Sequence, residues 1–520
     1  MYKGKINQKI EEIKLYYSKD KRGMYILRAM EDISLNGDAY TTIEALFRVC
    51  QRNDRQLSYS AFREDLAFLL HKGLLHLEGQ RLYTTYNWRC EQSAAASLAD
   101  ILRKPSLDKP ELPDTLLVNG VQLTGEQHDA VSLALSSRLS LILGGAGTGK
   151  TTLVQAIVAH CPSPSGCVLC APTGKAARNL TTRTGFEART VHSALGLRPD
   201  DDFLEPVQWP YVSLLLVDEA SMMTLEMLAG ILQRVPGTCR VVLVGDPYQL
   251  LSVGTGNVLP DLLSLGIPNI TLKTTHRQSK DSAGLVHNTT RFSALSRAAD
   301  LVFDDSFQLV QLEEKDIQAA IRNEAAKRYL AGENVQVLSP FNRATDLSVQ
   351  NLNRVIQPLV NPPFEDKHSL KLEKGSVFWD SDRIMVTKND RERRCCNGDV
   401  GILKIRSQPH ETPDYSVALP DGRRPSWDDT SRLVHMCTAY AITVHKSQGS
   451  EYDTVLMPIS KQMQSMMVRN LLYTAITRAK KEVMLFGDPD TLDSAMQRIP
   501  YLRKSMLVQK TRMLLLRRAA

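Results

Sequence analysis

The 520-residue sequence predicts an α/β fold with parallel sheets and crossover helices. From about residue 121 to residue 488, short apolar runs of strand character alternate with helical patterns, as such sheets require. One of these runs, Leu141–Leu143, leads through the glycine-rich stretch GGAGTGK into a helical pattern. A strand, a glycine-rich loop and a helix in this order are the setting of a phosphate-binding loop.

The segment before residue 121 predicts a separate small module. Two stretches, TTIEALFRVC and YSAFREDLAFLLHKGLL, carry apolar residues at helical spacing, and LLHLEGQRLYTT alternates about a turn at Glu78–Gln80. Two helices and a hairpin predict a winged-helix-like module over residues 1–103, which either binds DNA or serves as a protein contact or spacer. Clustered prolines predict a stiff linker over residues 104–120.

Composition indicates an ordinary soluble protein, with 43% hydrophobic and 23% charged residues. Lys and Arg total 64 against 57 Asp and Glu, and the net charge of +7 is compatible with a nucleic-acid partner without requiring one. The start lacks a signal-peptide pattern, and no stretch reaches the roughly 18 apolar residues that cross a membrane. We therefore expect a cytoplasmic protein with no membrane partner.

The nine cysteines favour reduced thiols over a disulfide framework. The densest group contains His160, Cys161, Cys167 and Cys170. Cys167 and Cys170 lie in the strand-like run GCVLCAP, where alternate residues share a face, and no second pair with zinc spacing follows. We interpret these residues as buried strand thiols rather than metal ligands.

The glycine-rich stretch fits the pattern G-x-x-x-x-G-K-[ST]. Its glycines let backbone N–H groups converge on phosphate, Lys150 adds a positive charge, and the Thr151 hydroxyl can ligate Mg²⁺. A plain glycine-rich turn and a dinucleotide loop are the alternatives, and the Lys–Thr pair disfavours both. We expect a nucleoside triphosphate to bind here, and the candidate residues are Gly144, Gly145, Ala146, Gly147, Thr148, Gly149, Lys150, Thr151 and Thr152.

Two later strand ends supply polar groups suited to phosphoryl transfer. The apolar run Leu214–Val217 delivers Asp218, placed to hold Mg²⁺ with Thr151, and Glu219, placed to orient and deprotonate the attacking water. The run CRVVLVG ends in GDPYQL, at the edge where open α/β sheets bind ligands, and Gln249 there is suited to sense a γ-phosphate. The alternative interpretation of Asp218 and Glu219 is a solvated acidic pair, and that of Gln249 is an amide in an ordinary turn.

Eight segments resemble, in order and character, the motifs of superfamily 1 DNA helicases of the RecD-like branch. They are GGAGTGKTT, APTGKAARNL, TVHSALGL, VDEASMM, GDPYQLLSVGTG, THRQ, AYAITVHKSQGSE and LLYTAITRAK. The resemblance covers residues 121–488, and the preceding module is similar to one in free-standing members, which have a longer N-terminus. This resemblance to RecD-like helicases implies two RecA-like P-loop motor domains at residues 121–265 and 266–490, with ATP and Mg²⁺ as cofactors.

The resemblance also implies roles for single residues. Gln127, in LTGEQ, is similar to the glutamine that reads adenine, and Glu451 to a residue near the ribose. Arg277 and Arg478 are similar to two arginines that the second motor domain presents to the γ-phosphate. The implied DNA-binding residues are Pro172, Thr173, Gly174, Lys175, Thr190, His192, Thr443, His445 and Lys446, although the two histidines alone would more often be structural.

Two insertions and the tail complete the predicted organisation. Residues 196–209 stand where the family carries a strand-separating pin, here short and acidic. Residues 388–432 resemble an SH3-like β insertion, whose Arg391, Arg393 and Arg394 either touch DNA or form a solvated charged loop. The basic tail, residues 491–520, either packs against the body or contacts nucleic acid.

These features together predict an ATP-dependent DNA helicase that moves 5′→3′ on single-stranded DNA and unwinds forked duplex, in DNA repair or recombination. The alternative is a DNA-stimulated ATPase that pulls DNA for a nuclease or recombinase partner and does not unwind alone. A nucleotide-binding switch is disfavoured by the paired arginines and the full motif set.

Overall fold

The computed structural model describes residues 23–197, 201–204, 209, 211–275, 282–293, 296–364, 367–371, 377–390, 392–406, 414–427 and 435–517. Arg277, Arg391 and seven residues of the predicted pin segment, 198–200 and 205–208, lie outside these ranges. Two parallel sheets flanked by helices form the body, which confirms the predicted α/β fold class.

Within residues 23–84, the N-terminal module contains three helices and a three-stranded antiparallel sheet. The helices are Met24–Leu35, Ile43–Asn53 and Tyr59–His71, and the strands are Tyr40–Thr41, Leu75–Glu78 and Arg81–Thr84. The side chains of Thr42 and Ser58 cap two of the helices, and Phe62, Leu66 and Leu82 fill the core between the helices and the sheet. The following helix, Thr85–Arg103, buries its apolar face in the core of the first motor domain.

The first motor domain is a six-stranded parallel sheet. Its strands, in spatial order, are Asn269–Leu272, Leu139–Gly144, Arg240–Gly245, Leu214–Val217, Cys167–Ala171 and Ala188–Thr190. The helices are Gly125–Ser136, Lys150–Ala159, Gly174–Thr184, Val191–Ala194, Leu225–Arg234 and Val258–Ser264. The central strands are buried and mostly apolar because helices cover both faces.

The edge strand of this sheet, Asn269–Leu272, lies beyond residue 265, where the sequence placed the end of the first motor domain. It pairs with the strand that leads into the phosphate-binding loop, from Leu141 to Gly144. The boundary between the motor domains therefore falls later in the chain. A short antiparallel pair, Leu117–Val118 with Val121–Gln122, precedes the first helix of the domain.

The second motor domain is a five-stranded parallel sheet. Its strands, in spatial order, are Phe307–Gln311, Ala479–Gly487, Tyr452–Ile459, Val335–Ser339 and Ala441–Thr443. The helices are Ala283–Ser293, Ile317–Leu330, Val349–Val360, Val444–Ser447, Arg469–Ile476 and Pro489–Gln497. This sheet and its helices form a core of their own, so each motor domain is an independently packed layer structure.

An antiparallel insertion projects from the second motor domain. Its strands, in spatial order, are Ser426–Trp427, Asp414–Ala418, Val400–Arg406, Arg383–Val386 and Met436–Thr438. A short hairpin, Ser369–Lys371 with Val377–Trp379, precedes it. The sheet extends past both ends of the predicted segment 388–432, because the first and last strands pair with each other where the insertion leaves the motor domain.

The C-terminal helix Leu507–Arg517 packs against the helix Thr85–Arg103, so the tail contacts the body. Lys510 is buried there, with its Nζ 3.0 Å from carboxylate oxygens of both Glu78 and Glu91. The nine cysteines are free thiols, and Cys161 and Cys170 are buried. Within the described ranges, no helix has the length and apolar character needed to cross a membrane.

Candidate functional site

The phosphate-binding loop joins the buried strand Leu139–Gly144 to the helix Lys150–Ala159. Gly147 and Gly149 both have a φ of 79°, a left-handed conformation that favours glycine. Lys150 Nζ donates to the carbonyl oxygens of Gly144 at 2.7 Å and Gly145 at 2.6 Å. The loop therefore wraps its lysine through backbone contacts, and its N–H groups surround the start of the helix.

Asp218 and Glu219 follow the buried strand Leu214–Val217. Burial, and next the charge of Glu219, raise the pKa of Asp218 to about 6, while Glu219 N donates to Asp218 Oδ1 at 2.9 Å. Glu219 has a φ of 53° and a ψ of 41°, a left-handed conformation that costs a non-glycine residue about 1–3 kcal/mol. A strained acidic residue beside a perturbed carboxyl is typical of a functional site.

Gln249 lies just after the strand Arg240–Gly245, close to Asp246. Its Nε2 is 3.4 Å from Asp246 Oδ2, whereas its Oε1 is buried and has no hydrogen-bond partner among the described residues. A buried amide oxygen without a partner is costly unless a ligand or water supplies a donor. This oxygen is therefore available to a bound molecule.

Arg478 reaches the same region from the second motor domain, just after the helix Arg469–Ile476. Its side chain is 5% exposed, and it donates through Nε to Thr474 O at 3.1 Å and through Nη2 to Thr477 Oγ1 at 3.1 Å. The described part of the chain gives this guanidinium no carboxylate partner. A buried, unneutralised arginine attracts an anion.

A cavity of about 720 Å³ between the two motor domains brings most of these groups together. The predicted residues that line it are Ala146, Gly147, Thr148, Gly149, Lys150, Thr151, Asp218, Glu219 and Gln249 from the first domain, and Glu451 and Arg478 from the second. Glu451 Oε2 accepts from Arg183 at 2.8 Å and lies 3.5 Å from Lys480 Nζ, so it connects the domains at the edge of the cavity.

Of the other predicted nucleotide-binding residues, Gly144 and Gly145 belong to the phosphate-binding loop but lie outside the lining of this cavity. Thr152 lies in the helix behind the loop, outside the lining of the cavity. Gln127 is buried in a capping box, where its Oε1 accepts from Thr124 N at 3.0 Å. Arg277 lies outside the described residues. The neighbouring Glu126 accepts from Lys273 N at 3.0 Å, and Lys273 lines a second cavity of about 290 Å³ that shares the phosphate-binding loop.

Three threonines predicted to contact DNA share one structural position. Thr173, Thr190 and Thr443 each stand just after or at the end of a parallel strand, and each caps the next helix. Their Oγ1 atoms accept from Ala176 N at 3.2 Å, Ser193 N at 3.1 Å and Lys446 N at 3.3 Å, respectively. Pro172 and Gly174 flank the first of these caps. The arrangement places three helix N-termini at the carboxyl edges of the sheets, where anions bind.

The two predicted DNA-binding lysines contact the insertion. Lys175 Nζ donates to Gly398 O at 3.0 Å, and Lys446 Nζ donates to Asn397 Oδ1 at 2.6 Å. Sequence reasoning missed the ion pair beside them, in which Arg178 Nη1 lies 2.7 Å from the buried carboxylate of Asp399. One loop of the insertion thus touches both motor domains.

The two predicted DNA-binding histidines also have contacts within the protein. The ring of His192 lies edge-on to Phe203, with centroids 4.7 Å apart. Burial, and next the charge of Arg503, lower the pKa of His445. Arg393, in the predicted basic run, donates to Ser426 O at 2.7 Å and lies 3.3 Å from the Asp390 carboxylate, so it contributes to the structure of the insertion.

Two parallel α/β domains that share one phosphate-binding cavity define a P-loop NTPase of the two-domain motor class. Residues 122–302 match the family described as an AAA domain, and residues 438–486 match the UvrD-like helicase C-terminal domain. The RecBCD enzyme subunit RecD of Mycolicibacterium smegmatis is 32% identical, over 82% of this chain and 81% of that protein. The chain belongs to the RecD family of helicases, as its motifs predicted.

Two further comparisons describe similar proteins. The ATP-dependent RecD2 DNA helicase of Deinococcus radiodurans is 32% identical over 83% of this chain, which spans 59% of the length of that relative. The crystal structure of Bacteroides Pif1 bound to single-stranded DNA is 18% identical, with a TM-score of 0.46, and the match covers 73% of this chain and 94% of that one.

Proposed function

We propose that this chain is an ATP-driven DNA helicase that moves 5′→3′ along single-stranded DNA and unwinds forked duplex, in DNA repair or recombination. The observation that carries the proposal is the shared cavity, in which Lys150 of one motor domain and Arg478 of the other face the same space. Phosphoryl transfer needs charge on several sides of the γ-phosphate at once. A site divided between two domains makes hydrolysis depend on how those domains close.

Each residue of the cavity has a role that its position supports. Lys150 neutralises phosphate charge, Glu219 accepts the proton of the attacking water, and Arg478 stabilises the charge that develops on the γ-phosphate. The unpartnered Gln249 Oε1 accepts a hydrogen bond from that water. Arg277 would add a second guanidinium.

Mg²⁺ fits the oxygen donors of this cavity. Thr151 and Asp218 both line it, and a hydroxyl with one carboxylate, completed by phosphate and water oxygens, is a donor set that Mg²⁺ accepts. When bound, the ion supplies neutralising charge at the phosphates. Gln127 would recognise adenine through its Nε2 donors and the second lone pair of its Oε1, because Thr124 N occupies the first. Glu451 lines the cavity where the ribose would pass.

The proposed DNA path runs over the three threonine-capped helix N-termini and the lysines beside them. Backbone N–H groups, hydroxyls and a few cations hold phosphates without reading the sequence. Lys175 and Lys446 would exchange their contacts with the insertion for DNA phosphates. The 5′→3′ direction rests on family membership alone.

The second candidate is a DNA-stimulated ATPase that depends on a nuclease or recombinase partner. The described part of the predicted pin favours it, because residues 201–204 pack against the body instead of projecting from it. Phe203 is fully buried, its carbonyl accepts from Arg234, and Asp202 lies 3.5 Å from Arg89. The Mycolicibacterium smegmatis relative is itself a RecBCD subunit.

Partial duplexes with either a 5′ or a 3′ single-stranded tail test the proposal, using the chain alone with ATP and Mg²⁺. We expect strand separation from the 5′-tailed substrate only, and none by the Lys150→Ala variant. Unwinding from the 3′ tail only would contradict the assigned direction. ATP consumption without unwinding of either substrate would favour the partner-dependent candidate.

A further inference from the structure

The segment Ser252–Gly256, termed here the coupling loop, begins three residues after Gln249 and is held by an arginine from the C-terminal tail. Arg503 Nη1 donates to Ser252 Oγ at 3.1 Å, Gly254 O at 3.1 Å and Gly256 O at 2.9 Å. Its Nη2 donates to Ser252 O. Four acceptors of one short loop thus converge on a single guanidinium.

The N-terminal module closes this arrangement from the other side. Gly37 has a φ of 102°, and a Cβ at this position would lie 2.2 Å from Arg503 Nε. Gly256 N donates to Gly37 O at 2.9 Å, and Lys504 N donates to Asp38 Oδ1 at 2.8 Å. Burial lowers the pKa of Arg503 to about 10, although Asp38 opposes this shift, so the side chain remains a cation at neutral pH. The module and the tail together form one clamp around the coupling loop.

The coupling loop connects this clamp to both proposed sites. Two residues before the loop, Leu250 N donates to Thr474 Oγ1 at 2.8 Å, and Gln448 Nε2 donates to Leu250 O at 3.1 Å, so the second motor domain contacts the segment beside Gln249. The charge of Arg503 also contributes to the environment of His445, on the proposed DNA path. The loop therefore lies between the clamp and the segment that carries Gln249, so its shape affects how that segment is placed.

We propose that Arg503 is a positioning residue that couples DNA binding to ATP hydrolysis by holding the coupling loop in the conformation that places Gln249. The inference rests on the proposed function. An arginine suits the task because its planar fork presents several donors in fixed directions, whereas a lysine presents a point charge on a flexible stem. Neither the family motifs nor the phosphate-binding loop includes this residue.

The test compares ATP turnover of the full chain with and without single-stranded DNA in the parent, Arg503→Met and Arg503→Lys. We expect Arg503→Met to reduce the stimulation by DNA about tenfold, with the basal rate and the KM for ATP within about twofold of the parent. Arg503→Lys should recover part of the stimulation. Arg512→Met is the matched control, since Arg512 also lies in the tail and donates to a motor-domain carbonyl, Ser264 O, at 2.8 Å.

Three outcomes would overturn the inference. Full stimulation of Arg503→Met would show that the loop does not need this side chain. A joint loss of basal turnover, ATP affinity and thermal midpoint would show a purely structural anchor. A parent chain whose ATP turnover does not respond to DNA would refute the proposed function itself. This outcome differs from the two that concern Arg503, because the parent already lacks stimulation before any substitution is made.

Discussion

The Tyr473 hydroxyl of the second motor domain donates to Asp246 Oδ2 of the first at 2.8 Å, directly behind the phosphate-binding loop. The same hydroxyl is so close to the loop that a Cβ on Gly145 would lie 3.0 Å from it. Asp246 is buried, and burial raises its pKa, so the tyrosine supplies a donor that this carboxyl needs. The two domains are thus joined beside the phosphate-binding loop, and an opening that separates these two residues must break this bond.

Tyr473→Phe should weaken the junction while keeping the ring. The buried carboxyl loses a hydrogen bond, so we expect a loss of about 1–3 kcal/mol in unfolding free energy, seen as a lower midpoint in urea. Tyr501→Phe is the control, because its hydroxyl donates to Asp38 at 3.2 Å from a largely exposed side chain. Equal midpoints for Tyr473→Phe and the parent would mean that this bond adds nothing to the junction.

Lys150→Ala should remove most ATP turnover, with loss of about two or more orders of magnitude, because no other cation is placed by the loop itself. The fold should persist, since the hydrogen bonds that the lysine donates within the described residues go to carbonyl oxygens of its own loop. Steady-state hydrolysis and circular dichroism measure the two effects. A variant that hydrolyses ATP as fast as the parent would exclude the assigned phosphate site.

Arg478→Lys should separate nucleotide binding from chemistry. The substitution retains a cation in the cavity but loses the planar fork, so ATP should still bind while the rate of hydrolysis falls by about one to three orders of magnitude. Fluorescent nucleotide titration and single-turnover hydrolysis provide the two readouts. If binding is lost and turnover per bound ATP is unchanged, Arg478 holds the cavity together and does not act on the γ-phosphate.

The sequence predicted the half of the cavity that is built from local patterns. Strand, loop and helix around Lys150 are contiguous, and the apolar run before Asp218 identifies its strand end without reference to the rest of the fold. The resemblance to the family motifs extended the predicted cavity to Arg478, which lines it from the second motor domain.

The contacts that sequence reasoning missed join distant parts of the chain. Arg178 and Asp399 are 221 residues apart, and Arg503 and Ser252 are 251 residues apart, so no periodicity or motif spacing connects them. The strand Asn269–Leu272 was likewise missed as part of the first motor domain, because its partner is the distant strand Leu139–Gly144. Such pairings depend on topology, which local patterns do not encode.

Asp261 provides a pH-dependent test of the packing between the tail and the first motor domain. Burial raises its pKa from 3.8 to about 6, and its Oδ2 has no hydrogen-bond partner among the described residues. The ionised carboxylate therefore destabilises the folded state above pH 6, and this cost disappears as the pH falls toward 3.8. We expect Asp261→Asn to raise the thermal midpoint at pH 8 and to lose this advantage as the pH falls through about 6. The exposed Asp305→Asn is the control, and a pH-independent effect of Asp261→Asn would contradict the assigned burial cost.

Lys446 offers the sharpest test of the proposed DNA path. Each phosphate contact releases counterions, so Lys446→Ala should weaken binding of single-stranded DNA and reduce the slope of log affinity against log salt by about 0.7. Asn397→Ala removes the insertion residue that now accepts from Lys446 at 2.6 Å and leaves the charge in place, so its slope should match that of the parent. Lys461→Ala removes an exposed lysine that belongs to none of the threonine-capped helices, and it should also leave the slope unchanged. Fluorescence anisotropy across a salt series measures all four proteins, and a parental slope for Lys446→Ala would remove this lysine from the path.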